Sequence, residues 1–210
     1  MHILCLDLEG VLIPEIWIGV ADRTGIEALR LTTRDIPDYD ELMQYRLRLL
    51  AEHDLKLADI EAVIGTLSPL PGARDFLDWA RTRLQVAILS DTFYEFATPL
   101  MGQLGSPLLL CHRLLLDADG RITGYRLRQP DPKRMAVRAF HDLRYRVVAA
   151  GDSFNDIAML EEADAGFFFS APEAIATRFP RFPATETYGE LRERIEEVLE
   201  GFELEGFEIV

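Results

Sequence analysis

The chain has 210 residues, 49% apolar and 28% charged, enough for one large domain or for a core with a smaller inserted one. Its formal net charge of −14 argues against nucleic-acid partners, and no run approaches the roughly 20 apolar residues of a membrane span. The N-terminus lacks signal-peptide features, and Cys5 and Cys111 sit in apolar runs as in a reducing compartment, so a cytoplasmic protein without disulfides is expected.

Residues 3–6 form a continuous apolar run ending in Asp7, the pattern of a strand buried on both faces of a parallel sheet. Three helical patterns follow, at 15–24, 39–52 and 57–67, with no strand between them; they are read as an inserted helical cap. A Pro-Gly pair opens a helical pattern over 72–83, and a second apolar run, 86–89, leads into Ser90-Asp91-Thr92. A third run at 108–110 precedes strand-like stretches at 114–117 and 122–126. The Asp119-Gly120 pair between those two is a hairpin signal, so an antiparallel flap is expected.

Lys133 opens a helical pattern over 133–143. Residues 147–150 then lead into Gly151-Asp152, a helix is expected over 155–163, and a weaker run at 166–169 ends at Ser170. A last helix is expected over 188–199. Residues 201–210 alternate Phe, Leu and Ile with glutamate, which fits an edge strand or a frayed tail. The alternation of strand and helix predicts an α/β fold with a doubly wound parallel sheet, its core at 1–13 and 70–210 and its helical cap at 14–69.

Open parallel sheets bind ligands at the carboxyl ends of their strands. Those ends carry Asp7 with Glu9-Gly10, Ser90-Asp91-Thr92, and Gly151-Asp152-Ser153 with Asn155 and Asp156, while Lys133 opens the helix before the third of them. Carboxylates converging from several strands repel one another unless a cation joins them. Magnesium takes oxygen ligands, with Asp7 and Asp152 as the obvious ones, Asp156 as a third or outer group, and Glu9 through its carbonyl. The same ion answers how so acidic a chain admits a phosphate. Asp7 suits a nucleophile attacking phosphorus, Glu9 a proton donor and acceptor beside the leaving oxygen, and Ser90, the amides after it, and Lys133 suit the phosphoryl oxygens. The four histidines have no metal or triad spacing and read as structural or surface residues.

In order and position, these four motifs resemble those of the haloacid dehalogenase superfamily. Asp7-Leu8-Glu9-Gly10-Val11 is similar to its first motif, Ser90 to the second, Lys133 to the third and Gly151 to Asp156 to the fourth. The helical insertion resembles the small cap of phosphoserine phosphatases. Residues 7–17, 32–40, 89–96 and 129–134 resemble the branch that acts both as phosphoserine phosphatase and as homoserine phosphotransferase.

The resemblance implies a Rossmann-like core, magnesium, phosphoserine as donor, and water or homoserine as acceptor. It implies that Glu15 binds the substrate ammonium group and Arg46 its carboxylate, with Asn155 near the phosphate. Glu9 stands where an aspartate is usual, and Asp91-Thr92 where simple phosphoserine phosphatases have glycines; in the bifunctional branch the glutamate looks native. Two rival readings remain: a phosphatase of another small phosphate ester, and a non-catalytic sensor of a phosphorylated ligand. The oligomeric state stays open, a homodimer included.

Overall fold

The computed structural model describes residues 1–33, 35–36 and 38–206. A seven-stranded sheet runs β4-β3-β2-β1-β5-β6-β7, from β1 (His2–Leu6), β2 (Gln85–Phe93), β3 (Leu108–Leu116), β4 (Ile122–Arg126), β5 (Arg146–Gly151), β6 (Ala165–Phe169) and β7 (Ala184–Thr185). All pairings are parallel except β3 with β4. β1 lies at the centre, flanked by β2 and β5, so its carboxyl end sits where the strand order reverses.

Successive strand residues point to opposite faces, and both faces are buried. Leu4, Leu6, Ile88, Val148 and Ala150 join one apolar cluster, whereas Ile3, Cys5, Ala87, Val147 and Ala149 join the other. The second face is covered by α6 (Pro132–Asp142), α7 (Ile157–Glu162) and α8 (Glu173–Arg178), through Val137, Met159 and Ile175 among others. The first face packs against α4 (Ala73–Ala80), α5 (Tyr94–Gln103) and α9 (Tyr188–Gly206), and also against the insertion between β1 and β2. That insertion holds α1 (Ile16–Thr24), a 3-10 turn at Glu27–Arg30, α2 (Tyr39–Glu52) and α3 (Leu57–Ile64). Both cysteines are buried and free. Among the described residues, no helix is long and apolar enough to cross a membrane.

Several elements differ from the sequence reading, and α8 and β7 have no counterpart in it. The third apolar run and the first flap strand are one continuous strand, β3, whose far half pairs with β4 as the expected hairpin. The helix α5, directly after β2, has no counterpart in the periodicity reading. It contains Pro99, which interrupts a helical ladder, and it is held by burial of Phe96, Ala97 and Leu100. The residues after 200 continue α9 as far as Gly206 instead of forming a strand, because Phe202 stacks on His2 and lies under the Arg146 guanidinium. Residues 207–210, the rest of that expected tail, lie outside the described residues.

Candidate active site

Asp7 is the first residue beyond β1, and its amide donates to Ala150 O on β5 at 3.0 Å, which pins the side chain between two strand ends. The chain then turns back at once: Leu12 N and Ile13 N both donate to Leu8 O. Gly10 makes this possible with φ of +78°, and a Cβ there would lie 2.5 Å from Asp152 Oδ2. The glycine therefore lets the fourth motif approach the first. Asp7, Asp152 and Asp156 each place a carboxylate oxygen within 4.8 Å of the others, all three buried.

Lys133 is 3% exposed and holds this cluster together. Its Nζ lies 2.8 Å from Asp7 Oδ1, 2.6 Å from Asp156 Oδ1 and 3.6 Å from Asp91 Oδ2. Burial works against its charge, but Asp156, Asp7 and Asp91 outweigh it and raise the lysine pKa well above its ordinary value. Asp156 Oδ2 accepts from the amides of Asp152 and Ser153, both at 3.0 Å. Asp156 thus braces the fourth-motif loop and the lysine, and only its Oδ1 keeps a lone pair for a cation.

Burial, then Asp156, push the Asp7 carboxyl well above the usual carboxylate range, against the pull of Lys133. To act as the nucleophile expected from the sequence, Asp7 would have to be ionised. An all-oxygen set of buried carboxylates so destabilised fits a hard divalent cation, which would restore the charge on Asp7.

Glu9 accepts from Ile16 N at 2.8 Å, so the first amide of α1 orients it. Burial and the neighbouring Glu15 push its carboxyl up to about 7. Ser90, buried on β2, accepts from Thr92 N at 3.2 Å and retains its own proton to donate. Asn155 Nδ2 donates to Asp91 Oδ2 at 2.9 Å, and its Oδ1 accepts from Ser153 Oγ.

The cleft over these groups, with a cavity volume of about 90 Å³, is lined by the expected Asp7, Glu9, Glu15, Arg46, Ser90, Asp91, Thr92, Asp152 and Asn155. Lys133 lies behind Asp7 and outside that lining. The Asp91 carboxylate faces Asn155, Lys133 and, at 3.6 Å, His112 Nε2. Lys133, Asn155 and His112 lower its pKa although burial opposes them.

Three further residues in or beside the cleft receive no individual role from the sequence, although Trp17 and Tyr39 lie in stretches that carry the family resemblance. Tyr39 OH donates to Asp91 O at 2.7 Å, tying the start of α2 to the second motif. Trp17 stacks under Arg46, and buried His112 accepts from Arg128 N at 3.1 Å, which leaves its Nε2 proton facing Asp91. Aromatic residues at helix starts and a lone histidine in a strand look like ordinary core residues, and only the folded arrangement distinguishes them.

Comparison with known proteins gives concordant results. A family model described as haloacid dehalogenase-like hydrolase matches residues 1–164. A phosphoserine phosphatase of Pseudomonas syringae pv. tomato is 64% identical over 192 residues, covering 91% of this chain and 81% of that one. A Pseudomonas aeruginosa protein named phosphoserine phosphatase ThrH is also 64% identical over 192 residues, covering 91% of this chain and 94% of its own. Among solved structures, an apo phosphoserine phosphatase superposes with a TM-score of 0.76 at 22% identity, covering 93% of this chain and 98% of that chain. A phosphoserine phosphatase described as a phospho-aspartyl intermediate analogue gives 0.73 at 20% identity, covering 92% and 98%. At such identities these two structures speak for the fold.

Proposed function

The chain belongs to the haloacid dehalogenase-like hydrolase family, and from that premise we propose that it is a magnesium-dependent phosphoserine phosphatase that also passes the phosphoryl group to homoserine. Asp7 attacks phosphorus as the bond to the serine oxygen breaks. Glu9 gives its proton to that oxygen, leaving serine and an aspartyl-phosphate. The ionised Glu9 then takes a proton from water or from the homoserine hydroxyl as that oxygen attacks phosphorus and frees Asp7. A carboxyl titrating at about 7 suits a group that works in both directions near neutral pH.

The Lys133 ammonium, already 2.8 Å from Asp7 Oδ1, and the Ser90 hydroxyl hold the phosphoryl oxygens as charge develops. Asp7, Asp152, the Glu9 carbonyl and Asp156, directly or from an outer position, would hold magnesium. Bound there, magnesium neutralises the carboxylates and the phosphate dianion. The insertion at 14–69 acts as a cap that selects substrate and excludes water, as transfer to an alcohol requires.

The observation that carries the choice of substrate is Arg46. It is buried at 7% exposure, and among the described residues its Nε has no hydrogen-bond partner. Burial pushes its pKa down to about 10, so it stays charged at neutral pH. A buried guanidinium in a cleft with one N–H left unsatisfied favours a carboxylate partner. Glu15 lines the same cleft and supplies the opposite charge for an ammonium group. The reading carries a cytoplasmic location with it, and a homodimer remains an assembly to test by mass measurement in solution.

The test incubates the protein with magnesium and O-phospho-L-serine, with and without L-homoserine, and quantifies phosphate and phosphohomoserine. Magnesium-dependent phosphate, diverted to phosphohomoserine by homoserine, is the expected result. Asp7→Asn is expected to lower kcat at least about 1,000-fold. Hydrolysis of aryl phosphates alone would retain the chemistry and overturn the substrate. Binding of phosphoserine without product would make the protein a sensor.

A further inference from the structure

The guanidinium of Arg46 is held in an uncommon way. Its Nη2 donates to Leu31 O at 2.8 Å, its Nη1 reaches Met43 Sδ at 3.9 Å, and its Cζ lies over the Trp17 ring, 4.6 Å from the centroid. Trp17 is 6% exposed and is itself fixed by an edge contact with Phe96 of α5, 5.5 Å between ring centroids. Glu9 and Glu15 contribute only through longer-range attraction.

A carboxylate partner would occupy the in-plane N–H edge, which is the edge that recognises another carboxylate bidentately. An aromatic ring attracts the cation without taking an N–H from it, so beyond the contacts to Leu31 O and Met43 Sδ the in-plane Nε–H keeps no partner among the described residues. The same turn of α1 also supplies Ile16 N to Glu9 and carries Glu15. One short segment therefore sets the general acid, the ammonium site and the support of the carboxylate site.

We infer that Trp17 is a positioning residue for substrate specificity: its indole holds the Arg46 cation in place without using its N–H groups, so that the unpartnered Nε–H stays free for the substrate carboxylate. The inference rests on the reading of Arg46 given above. It locates discrimination for a carboxylate in an aromatic residue that need not touch that carboxylate.

The experiment compares kcat/KM for O-phospho-L-serine with that for O-phosphoethanolamine, the same ester without the carboxylate, in the full-length protein with magnesium. Trp17→Leu is expected to lower the ratio of the two about tenfold, mainly through KM for phosphoserine, with phosphoethanolamine turnover kept. Trp17→Phe, which retains an aromatic face, is expected to fall between wild type and the leucine variant. Arg46→Ala provides the reference loss.

A Trp17→Leu ratio within twofold of wild type, beside a lowered ratio in Arg46→Ala, would overturn the inference and leave the Arg46 reading intact. Equal losses on both substrates would mean that Trp17 only packs the cap, and would also overturn it. Should the leucine variant not fold, Trp17→Phe decides: a lowered ratio with phosphoethanolamine turnover retained supports the role, and an unchanged ratio or an equal loss overturns it. An unchanged ratio in Arg46→Ala would defeat the reading of Arg46 and this role together.

Discussion

The acid and base role proposed for Glu9 comes with a liability in the same carboxyl. In the unfolded chain it ionises near 4.5, while in the fold burial and Glu15 push it up to about 7. The folded protein therefore binds more protons than the unfolded chain between those values. The contribution of Glu9 to stability is full below pH 4.5 and is lost as pH rises through 7. Glu9→Gln removes this slope. In chelator, the variant is expected to melt with wild type at pH 4.5 and above it at pH 8, by a difference of roughly 1–3 kcal/mol, while its turnover collapses. Parallel melting profiles would show that the carboxyl is not destabilised. The cost is functional, since a carboxyl at its solution pKa would hold too little proton at neutral pH to protonate a leaving alkoxide.

Among elements, the turn after β1 decides whether the site assembles. Gly10 has a positive φ and a close approach from Asp152, so Gly10→Ala meets backbone strain and a side-chain collision at once. The collision pushes the fourth motif away from Asp7. A displacement of about 1 Å lowers the rate by on the order of a hundredfold. The variant is expected to keep its fold, as judged by circular dichroism, with kcat reduced about that much. Unimpaired turnover would mean that Asp152 need not approach so closely. The hairpin of β3 and β4 is a second element with a role beyond the sheet. Leu57 N donates to Gly120 O at 3.0 Å, Arg121 pairs with Asp54, and Tyr125 OH donates to the Asp40 carboxylate, so the hairpin touches the insertion at several points.

At the scale of the whole molecule, the net charge of −14 has to coexist with an anionic substrate. The structure concentrates cations locally, with Arg46 buried in the cleft lining and Lys133 buried behind Asp7. The acids Asp7, Asp152 and Asp156 repel one another within 4.8 Å, so a divalent ion that binds the folded state alone stabilises it by mass action. At an ion concentration about 100 times its dissociation constant the gain is about 2.7 kcal/mol, or roughly 5–10 °C in Tm for a chain of this size. Magnesium is expected to raise the Tm over that range in wild type, and EDTA to reverse it and abolish turnover. Asp152→Asn should lose the shift. A Tm indifferent to magnesium in wild type would argue that the cluster holds no ion.

Much of this was determined by the sequence by itself. Continuous apolar runs ending in Asp7, Ser90 and Gly151-Asp152 located three adjacent parallel strands, because burial on both faces leaves no room for polar alternation. The same strand ends bring Asp7, Ser90 and Asp152 to one cleft, since loops at those ends are where an open sheet exposes side chains. Local pattern failed where long-range contact overrode it. The helix α5 forms across Pro99 because Phe96, Ala97 and Leu100 are buried, and α9 runs on past residue 200 because Phe202 meets His2 and Arg146.

Only the tertiary structure decided how the charges are shared. Lys133 answers three carboxylates drawn from three separate segments, Asp156 spends most of its lone pairs on its own loop, and Arg46 is borne by an indole. Such pairings lie between residues far apart in the chain, and the energy that fixes them comes from excluding water around them, which no local spacing encodes.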